Sequence, residues 1–362
     1  MFKFNFLKKQ NNKNKTVYVG LSGGVDSAVC AAILKDQGYN VIAGFIKSWA
    51  PDGYPCPVED DRRESMRVAA HLNIPWIEID AEESYKNNVA EYMINEYKSG
   101  RTPNPDVFCN ATVKFGTFYD AVMARGADYV ATGHYARLSQ NSNIKGQNLE
   151  KAVDPSKDQS YFLWNVTFEK LQKTLFPVGG IPKTKVRKLA TKYKLPNANR
   201  PDSQGVCFLG PIDMKSFIVD MLRPQKGDVL DTNGNIIGSH DGSILYTIGE
   251  RHGFHLFKSS PVPLFVIDKN VDENTITVSE KLEAAKNTKI LYIKSQNWLP
   301  TKPSPDEVID AVFRYHGEIH SVKLNNDDSI TFINEPILVA EGQSVVFYKG
   351  NVCLGGGIVM YN

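Results

Sequence analysis

A chain of 362 residues in which 42% are hydrophobic and 23% charged carries enough apolar material for more than one core, which excludes a disordered or fibrous protein. Lys and Arg number 42 against 40 Asp and Glu, a net charge of +2, so any basic surface for a polyanion is local. Five scattered cysteines, Cys30, Cys56, Cys109, Cys207 and Cys353, lack C-x-x-C spacing and have no His at ligand spacing, which argues against a secreted disulfide framework or structural zinc and for a reducing cytosol. No apolar run is long enough to span a membrane.

In chain order, residues 1–15 read as a basic tail expected to be disordered; the stretch has no apolar h-region, and its lack of Arg and Ser speaks against a transit peptide. Residues 16–210 then alternate strands and helices: a strand Thr16 to Leu21, a helix Asp26 to Gln37, a strand Val41 to Ile46, a helix Arg62 to Leu72, a strand Trp76 to Asp80, helices Ser84 to Tyr97 and Ala111 to Arg125, and a strand Asp128 to Thr132. That alternation predicts an α/β fold with a doubly wound parallel sheet, in which the loops Ser22 to Ser27, Lys47 to Pro57 and Gly133 to Tyr135 gather at the carboxyl ends of the strands. Two smaller β-rich domains follow, 211–284 with strands Asp228 to Ile237, Leu264 to Ile267 and Thr275 to Val278, and 285–362 with Ile290 to Ile293, Val308 to Arg314, Ile319 to Leu324, Ser329 to Phe332 and Ser344 to Tyr348, a small antiparallel barrel or sandwich.

The stretch Gly20-Leu21-Ser22-Gly23-Gly24-Val25-Asp26-Ser27 sets two glycines between a buried strand and the first turn of a helix. Without Cβ atoms the main chain approaches an anion closely, the helix N-terminus adds partial positive charge, and the Ser22 and Ser27 hydroxyls donate. Neither the Walker A nor the dinucleotide pattern is present. Ser-Gly-Gly-Val-Asp-Ser resembles the signature of the PP-loop ATP pyrophosphatases, and that resemblance implies cleavage of ATP between its α and β phosphates. Magnesium is expected with the nucleotide, with Asp26 as a candidate ligand.

Two further segments carry cysteines. Gly100-Arg101-Thr102-Pro103-Asn104-Pro105-Asp106-Val107-Phe108-Cys109-Asn110 reads as a loop because of its two prolines, and Asp202-Ser203-Gln204-Gly205-Val206-Cys207-Phe208-Leu209-Gly210 sets a second thiol beside glycines. Both segments resemble those of the tRNA-specific 2-thiouridylases, as do Ala131 to Arg137, Ser156 to Leu163, Leu175 to Gly179, Arg314-Tyr315 and Gly342 to Tyr348. The resemblance covers nearly the whole chain; Gln204, where the family has Thr, and the proline-rich stretch Ser48 to Pro57 depart from it.

That resemblance implies 2-thiolation of the wobble uridine of tRNA. ATP adenylates the C2 oxygen, and the sulfur comes from a persulfide on Cys207 loaded by a separate donor protein. It makes Cys109 the nucleophile, either freeing sulfide or resolving the transfer as a Cys109 to Cys207 disulfide. A thiolate at Cys109 needs nearby cations or helix N-termini, which Asp106 opposes, so Asp106 reads as an acceptor that orients the base or a water. By the same resemblance Gly20, Leu21, Ser22, Gly23, Gly24, Val25, Asp26, Ser27, Ile46 and Gly133 bind ATP. Asn104, Pro105, Asp106, His134, Lys157, Asp158, Gln159, Arg314, Tyr315 and Gln343 contact the target base or the tRNA.

The run Lys183, Lys185, Arg187, Lys188, Lys192, Lys194 reads either as a phosphate-tracking face or as a solvated helix face. A cytoplasmic monomer without membrane or DNA partners is expected. Two alternatives stay open: an amide-forming ligase of the same ATP class, which needs no pair of thiols, and a non-catalytic tRNA-binding protein.

Overall fold

The structure is a computed structural model that describes residues 12–51, 53–54, 58–140, 146–202, 214–282 and 289–361. The chain divides into two compact units, the first made of Met1–Lys86, Asp106–Pro211 and Asn351–Cys353, the second of Asn87–Pro105, Ile212–Gly350 and Leu354–Asn362.

In the first unit β1 (Thr16–Gly20), α1 (Val25–Asp36), β2 (Asn40–Lys47), α2 (Val58–His71) and β3 (Trp76–Asp80) follow one another as the alternation predicts, and the sheet is parallel throughout. α3 (Glu82–Tyr85) closes this stretch, and α4 (Glu91–Lys98) falls in the second unit. After α5 (Pro105–Phe108), a wide π-helical run Cys109–Phe118 and α6 (Tyr119–Met123), the strand β4 (Tyr129–Ala131) enters beside β1. A hairpin of β5 (Ala136–Gln140) and β6 (Gln147–Lys151), the short α7 (Phe168–Leu171), β7 (Thr174–Leu175) and α8 (Lys183–Lys192) complete the unit. The order β3-β2-β1-β4-β7 puts β1 in the centre, which is why Val17 and Val19 are fully buried and why nine of the residues of α1, from Val25 to Leu34, are buried as well. No helix among the described residues is long and apolar enough to cross a membrane.

Two features of this unit depart from the sequence reading. The segment ending at Asn110 is helical from Pro105 onward, not a loop: proline at the first helical position gives up an N–H that would have no partner there, and its fixed φ suits the turn. Residues 12–15 are ordered, with a 3-10 turn Asn12–Asn14, Asn12 Nδ2 donating to Gln37 O at 3.2 Å and Lys15 paired with Asp128 at 2.8 Å. Residues 1–11 lie outside the described set.

Gly20 and Gly44 are direct partners across β1 and β2. The ring of Phe118 lies over both: a Cβ on Gly44 would come within 2.5 Å of it, and one on Gly20 within 3.7 Å. The paired glycines thus form a dimple in the sheet that seats the last residue of the π-helical run.

In the second unit α9 (Met214–Leu222) precedes β8 (Gly227–Leu230), β9 (Ile236–His240), β10 (Phe254–Leu256), β11 (Phe265–Asn270) and β12 (Thr275–Ser279), a five-stranded sheet of order β10-β9-β8-β12-β11. The predicted strand Asp228 to Ile237 is two strands, split where Gly234, at φ +83°, and Asp231, accepting from Asn233 and Asn235, build a turn. The strands β13 (Ile290–Trp298), β14 (Val308–Val312), β15 (His320–Leu324), β16 (Ser329–Phe332), β17 (Ser344–Lys349) and β18 (Val352–Met360) follow, and β13 pairs with both β16 and β18, so the sheet closes into a barrel around Phe313, Val322, Ile330 and Phe347. β18 escaped the sequence reading because Gly355-Gly356-Gly357 breaks its apolar pattern.

Candidate active site

β1 ends at Gly20 and α1 begins at Val25, so residues 21–24 make the turn. Gly23 holds φ +76°, a left-handed conformation that favours a residue without Cβ. Ser27 Oγ donates to Gly24 O at 3.1 Å and accepts from Ser22 N at 3.3 Å, tying the turn to the helix it starts. The first helical bond runs from Ala28 N to Gly24 O at 3.2 Å, which leaves the preceding N–H groups outside the ladder as anion donors at the positive end of the helix. Gly133 follows β4 and lies against this turn; a Cβ there would sit 2.7 Å from Ser27 N. Leu21 is 1% exposed and Ile46 in β2 8%, so each offers the site its backbone, not its side chain.

Asp26 points into a charged network. Lys183 Nζ, at the start of α8, lies 2.8 Å from both of its carboxylate oxygens, and Tyr135 OH donates to Oδ1 at 2.7 Å. Lys183 also meets Asp202 at 2.8 Å, and Asp202 pairs further with Lys157 at 3.2 Å and with Arg187. Burial works against the Asp202 carboxylate, but Lys183, Lys157 and Arg187 overcome it and bring its pKa down to about 2. Burial, then the Asp26 charge, raises the Tyr135 phenol, which stays protonated as a donor. Lys183 and Arg187 are therefore network members, not a solvated face, and Asp26, the candidate magnesium ligand, is paired with a cation here.

Cys109 opens the π-helical run and is 1% exposed, with Asn110 beside it donating Nδ2 to Phe162 O at 3.1 Å. Asp106 is half-buried in the first turn of α5. Cys207 and Cys56 lie outside the described residues. His134, 8% exposed, shares Nδ1 with Thr132 Oγ1 at 2.8 Å and faces Lys114 Nζ through Nε2 at 3.5 Å. An ammonium has only protons to offer, so Nε2 accepts and the ring is the neutral Nδ1–H form. Burial, and then the Lys114 charge, hold its pKa well below the ordinary histidine value.

Of the residues expected at the RNA, Lys157 reaches Asp202, Asp158 caps its own loop by accepting from Ala152 N at 2.8 Å and Ser160 Oγ at 2.9 Å, and Gln159 exchanges bonds with Tyr135 through its side chain (3.0 Å) and backbone (2.8 Å). In the second unit Asn104 and Pro105 are half-buried, and the segment before them is braced: Thr102 N donates to Glu341 O at 2.8 Å, and Gln343 Nε2 to Thr102 O at 3.0 Å. Tyr315, 37% exposed, lies ring to ring with His316 at 4.0 Å, and Arg314 lines a cavity of about 530 Å³ with Phe313, Glu318 and His320. Missed from the sequence were Asn197, Arg200 and Asp61, which hold the turn from behind; nothing in spacing or periodicity marks them.

A family profile described as tRNA methyl transferase HUP domain matches residues 15–211, and profiles described as tRNA methyl transferase PRC-barrel domain and Aminomethyltransferase beta-barrel domain match 215–280 and 288–359. A relative named tRNA-specific 2-thiouridylase MnmA from Oceanobacillus iheyensis is 39% identical over 362 residues, covering 97% of this chain and 96% of the relative. One of the same name from Hydrogenovibrio crunogenus is 40% identical over 364 residues, covering 97% and 95%. A third, tRNA-specific 2-thiouridylase MnmA 1 from Geobacillus kaustophilus, is 40% identical over 357 residues, covering 96% of each. The profile descriptions speak of methyl transfer and the relatives of thiolation; a match this uniform, from the phosphate turn to the barrel, places the chain in the tRNA-specific 2-thiouridylase family.

Proposed function

We propose that this protein is a tRNA-uridine 2-sulfurtransferase, which uses ATP to replace the C2 oxygen of the wobble uridine with sulfur. The observation that carries the reading is the turn at Gly23 and Gly24, where the left-handed Gly23 and the helix start suit a pyrophosphate, in the same unit as Cys109. An amide-forming ligase or a non-catalytic RNA binder would explain neither the thiol that directly follows α5 nor full-length relatives named for thiolation.

A uracil C2 oxygen is a poor leaving group. Its attack on the α-phosphorus expels pyrophosphate and leaves an adenylate, so that AMP departs when sulfur attacks C2. The turn N–H groups and the end of α1 hold the pyrophosphate portion, and they favour charge on the leaving group. Magnesium bound with the nucleotide would neutralise part of the phosphate charge. The sulfur is the outer atom of a persulfide on Cys207 supplied by a separate protein donor. Either the Cys109 thiolate attacks Cys207 Sγ, expelling hydrosulfide that then attacks C2, or the outer persulfide sulfur attacks C2 and Cys109 afterwards attacks Cys207 Sγ, breaking the S–S bond so that the outer sulfur stays on C2. Both routes end in a Cys109–Cys207 disulfide, and an external thiol reductant must restore it. Cys109 is nearly unexposed, so its neighbours shift before it reacts. Asp106 orients the base, His134 offers a neutral ring beside it, and Asn104, Pro105, Lys157, Arg314 and Tyr315 serve the tRNA. Three domains, 16–210, 211–284 and 285–362, and a cytoplasmic monomer complete the proposal.

The test is mass spectrometry of nucleosides from unmodified tRNA incubated with the protein, MgATP and a sulfide source. We expect 2-thiouridine at the wobble position with AMP formed in step. If neither appears while an active thiolase converts the same tRNA, the reading is rejected.

A further inference from the structure

The phosphate turn is gripped from behind. Gly23 O accepts two bonds, from Asn197 Nδ2 at 2.7 Å and from Arg200 Nη1 at 3.2 Å, and Arg200 Nη2 is itself held by Asp61 Oδ1 of α2 at 2.5 Å. Asn197 is 3% exposed. Its amide can face a carbonyl only with the nitrogen forward, which leaves Oδ1 buried and without a partner among the described residues. A buried unpaired amide oxygen costs stability, so Asn197 is kept there for the bond it does make. The grip also accounts for the glycine: a Cβ at position 23 would lie 2.6 Å from Asp61 O and 2.9 Å from Arg200 Nη1.

A trans peptide is planar, with its C=O and N–H antiparallel. Fixing the oxygen of Gly23 therefore aims the N–H of Gly24 to the opposite side, where it meets Ser22 Oγ in a long bond of 3.4 Å that a phosphate oxygen would replace. Flanked by two glycines, this peptide would otherwise turn over at little cost, and the turned-over form would present a carbonyl oxygen to an incoming phosphate. We infer that Asn197 and Arg200 are positioning residues for pyrophosphate: by holding Gly23 O they keep the Gly24 N–H turned toward the phosphates of ATP. The inference rests on the proposed reading of this turn as the ATP site. It adds that the affinity of the turn is set by side chains from the stretch that follows α8.

The test measures binding of inorganic pyrophosphate and of AMP to the full chain by calorimetry, together with KM for ATP in the tRNA-dependent AMP-forming reaction, for wild type, Asn197→Leu, Arg200→Met and Asp61→Asn. We expect pyrophosphate affinity to fall and KM for ATP to rise by about tenfold to a hundredfold in Asn197→Leu and somewhat less in the other two, the range expected when such hydrogen bonds are lost. AMP affinity and KM for tRNA stay within about threefold of wild type. General structural damage would lower AMP and pyrophosphate binding together. If Asn197→Leu does not fold, Arg200→Met and Asp61→Asn carry the comparison, Arg200 being 30% exposed at its side chain. Wild-type pyrophosphate affinity in the folded variants overturns the inference and leaves the ATP reading standing, whereas a wild-type protein that binds neither ATP nor pyrophosphate overturns both.

Discussion

Lys183 Nζ lies 2.8 Å from each carboxylate oxygen of Asp26, so the acid of the phosphate turn is neutralised before any nucleotide arrives. At 12% exposure this ammonium is shielded from solvent, and its loss would leave Asp26 as an uncompensated negative charge beside the pyrophosphate position.

Lys183→Met should raise KM for ATP by about tenfold or more, and Asp26→Asn in the same chain should recover part of that loss, because the repelling charge is gone. Initial rates of AMP formation for the two single variants and the double variant check it. Simple additivity of the two effects would remove the pair from nucleotide binding.

Gly23→Ala should lose ATP binding and destabilise the protein by about 1–3 kcal/mol. The methyl group must take up φ +76° and displace either Asp61 O or Arg200. Urea unfolding and nucleotide calorimetry measure the two effects, and an unchanged melting curve would mean that the turn yields more easily than its packing indicates.

Cys109→Ser and Cys207→Ser should each reduce 2-thiouridine formation by about a thousandfold or more, and the double variant should be no worse than either, as expected of residues that act as a unit. AMP formation with tRNA should survive in both, since adenylation precedes sulfur transfer. Parallel loss of AMP in Cys109→Ser would place that thiol in the first half-reaction.

Stability should fall twice on acidification. His134 has a folded pKa well below its unfolded value of 6.5, so the unfolded chain binds the extra proton first and stability declines as pH drops below 6.5. Asp202 is depressed from 3.8 to about 2, so its contribution is complete above 3.8 and disappears as pH falls toward 2. Thermal melts across pH should show both limbs; Asp202→Asn should flatten the lower one, and NMR should find the His134 ring still neutral at pH 6.

Gln343→Glu keeps the shape of the side chain and removes the donor that holds Thr102 O. We expect kcat for thiolation to fall several-fold, with tRNA affinity, read by filter binding, little changed. A loss confined to affinity would instead support the expected role of Gln343 as an RNA contact.

The parallel sheet and the phosphate turn were legible because their signals are local: strand and helix periods alternate, and the six residues Ser22 to Ser27 are contiguous. Pro105 misled for the same reason, since two prolines suggest a loop unless one of them opens a helix. The Asp26–Lys183 pair was hidden by its separation of 157 positions, and the basic run that contains Lys183 looks like an ordinary surface helix until its partners are in view. Asn197 and Arg200 are ordinary polar residues in sequence; only the fold brings them to the carbonyl of Gly23.

The glycines paired across β1 and β2 have a reach beyond their own strands. Cys109 and Phe118 are the first and last residues of one helical run, so the ring lodged against Gly20 and Gly44 acts as a key against sliding or rotation of that run. A single added methyl at Gly44 would push the key from its seat and, on the proposed mechanism, shift the Cys109 sulfur at the far end of the run without altering any proposed reacting group.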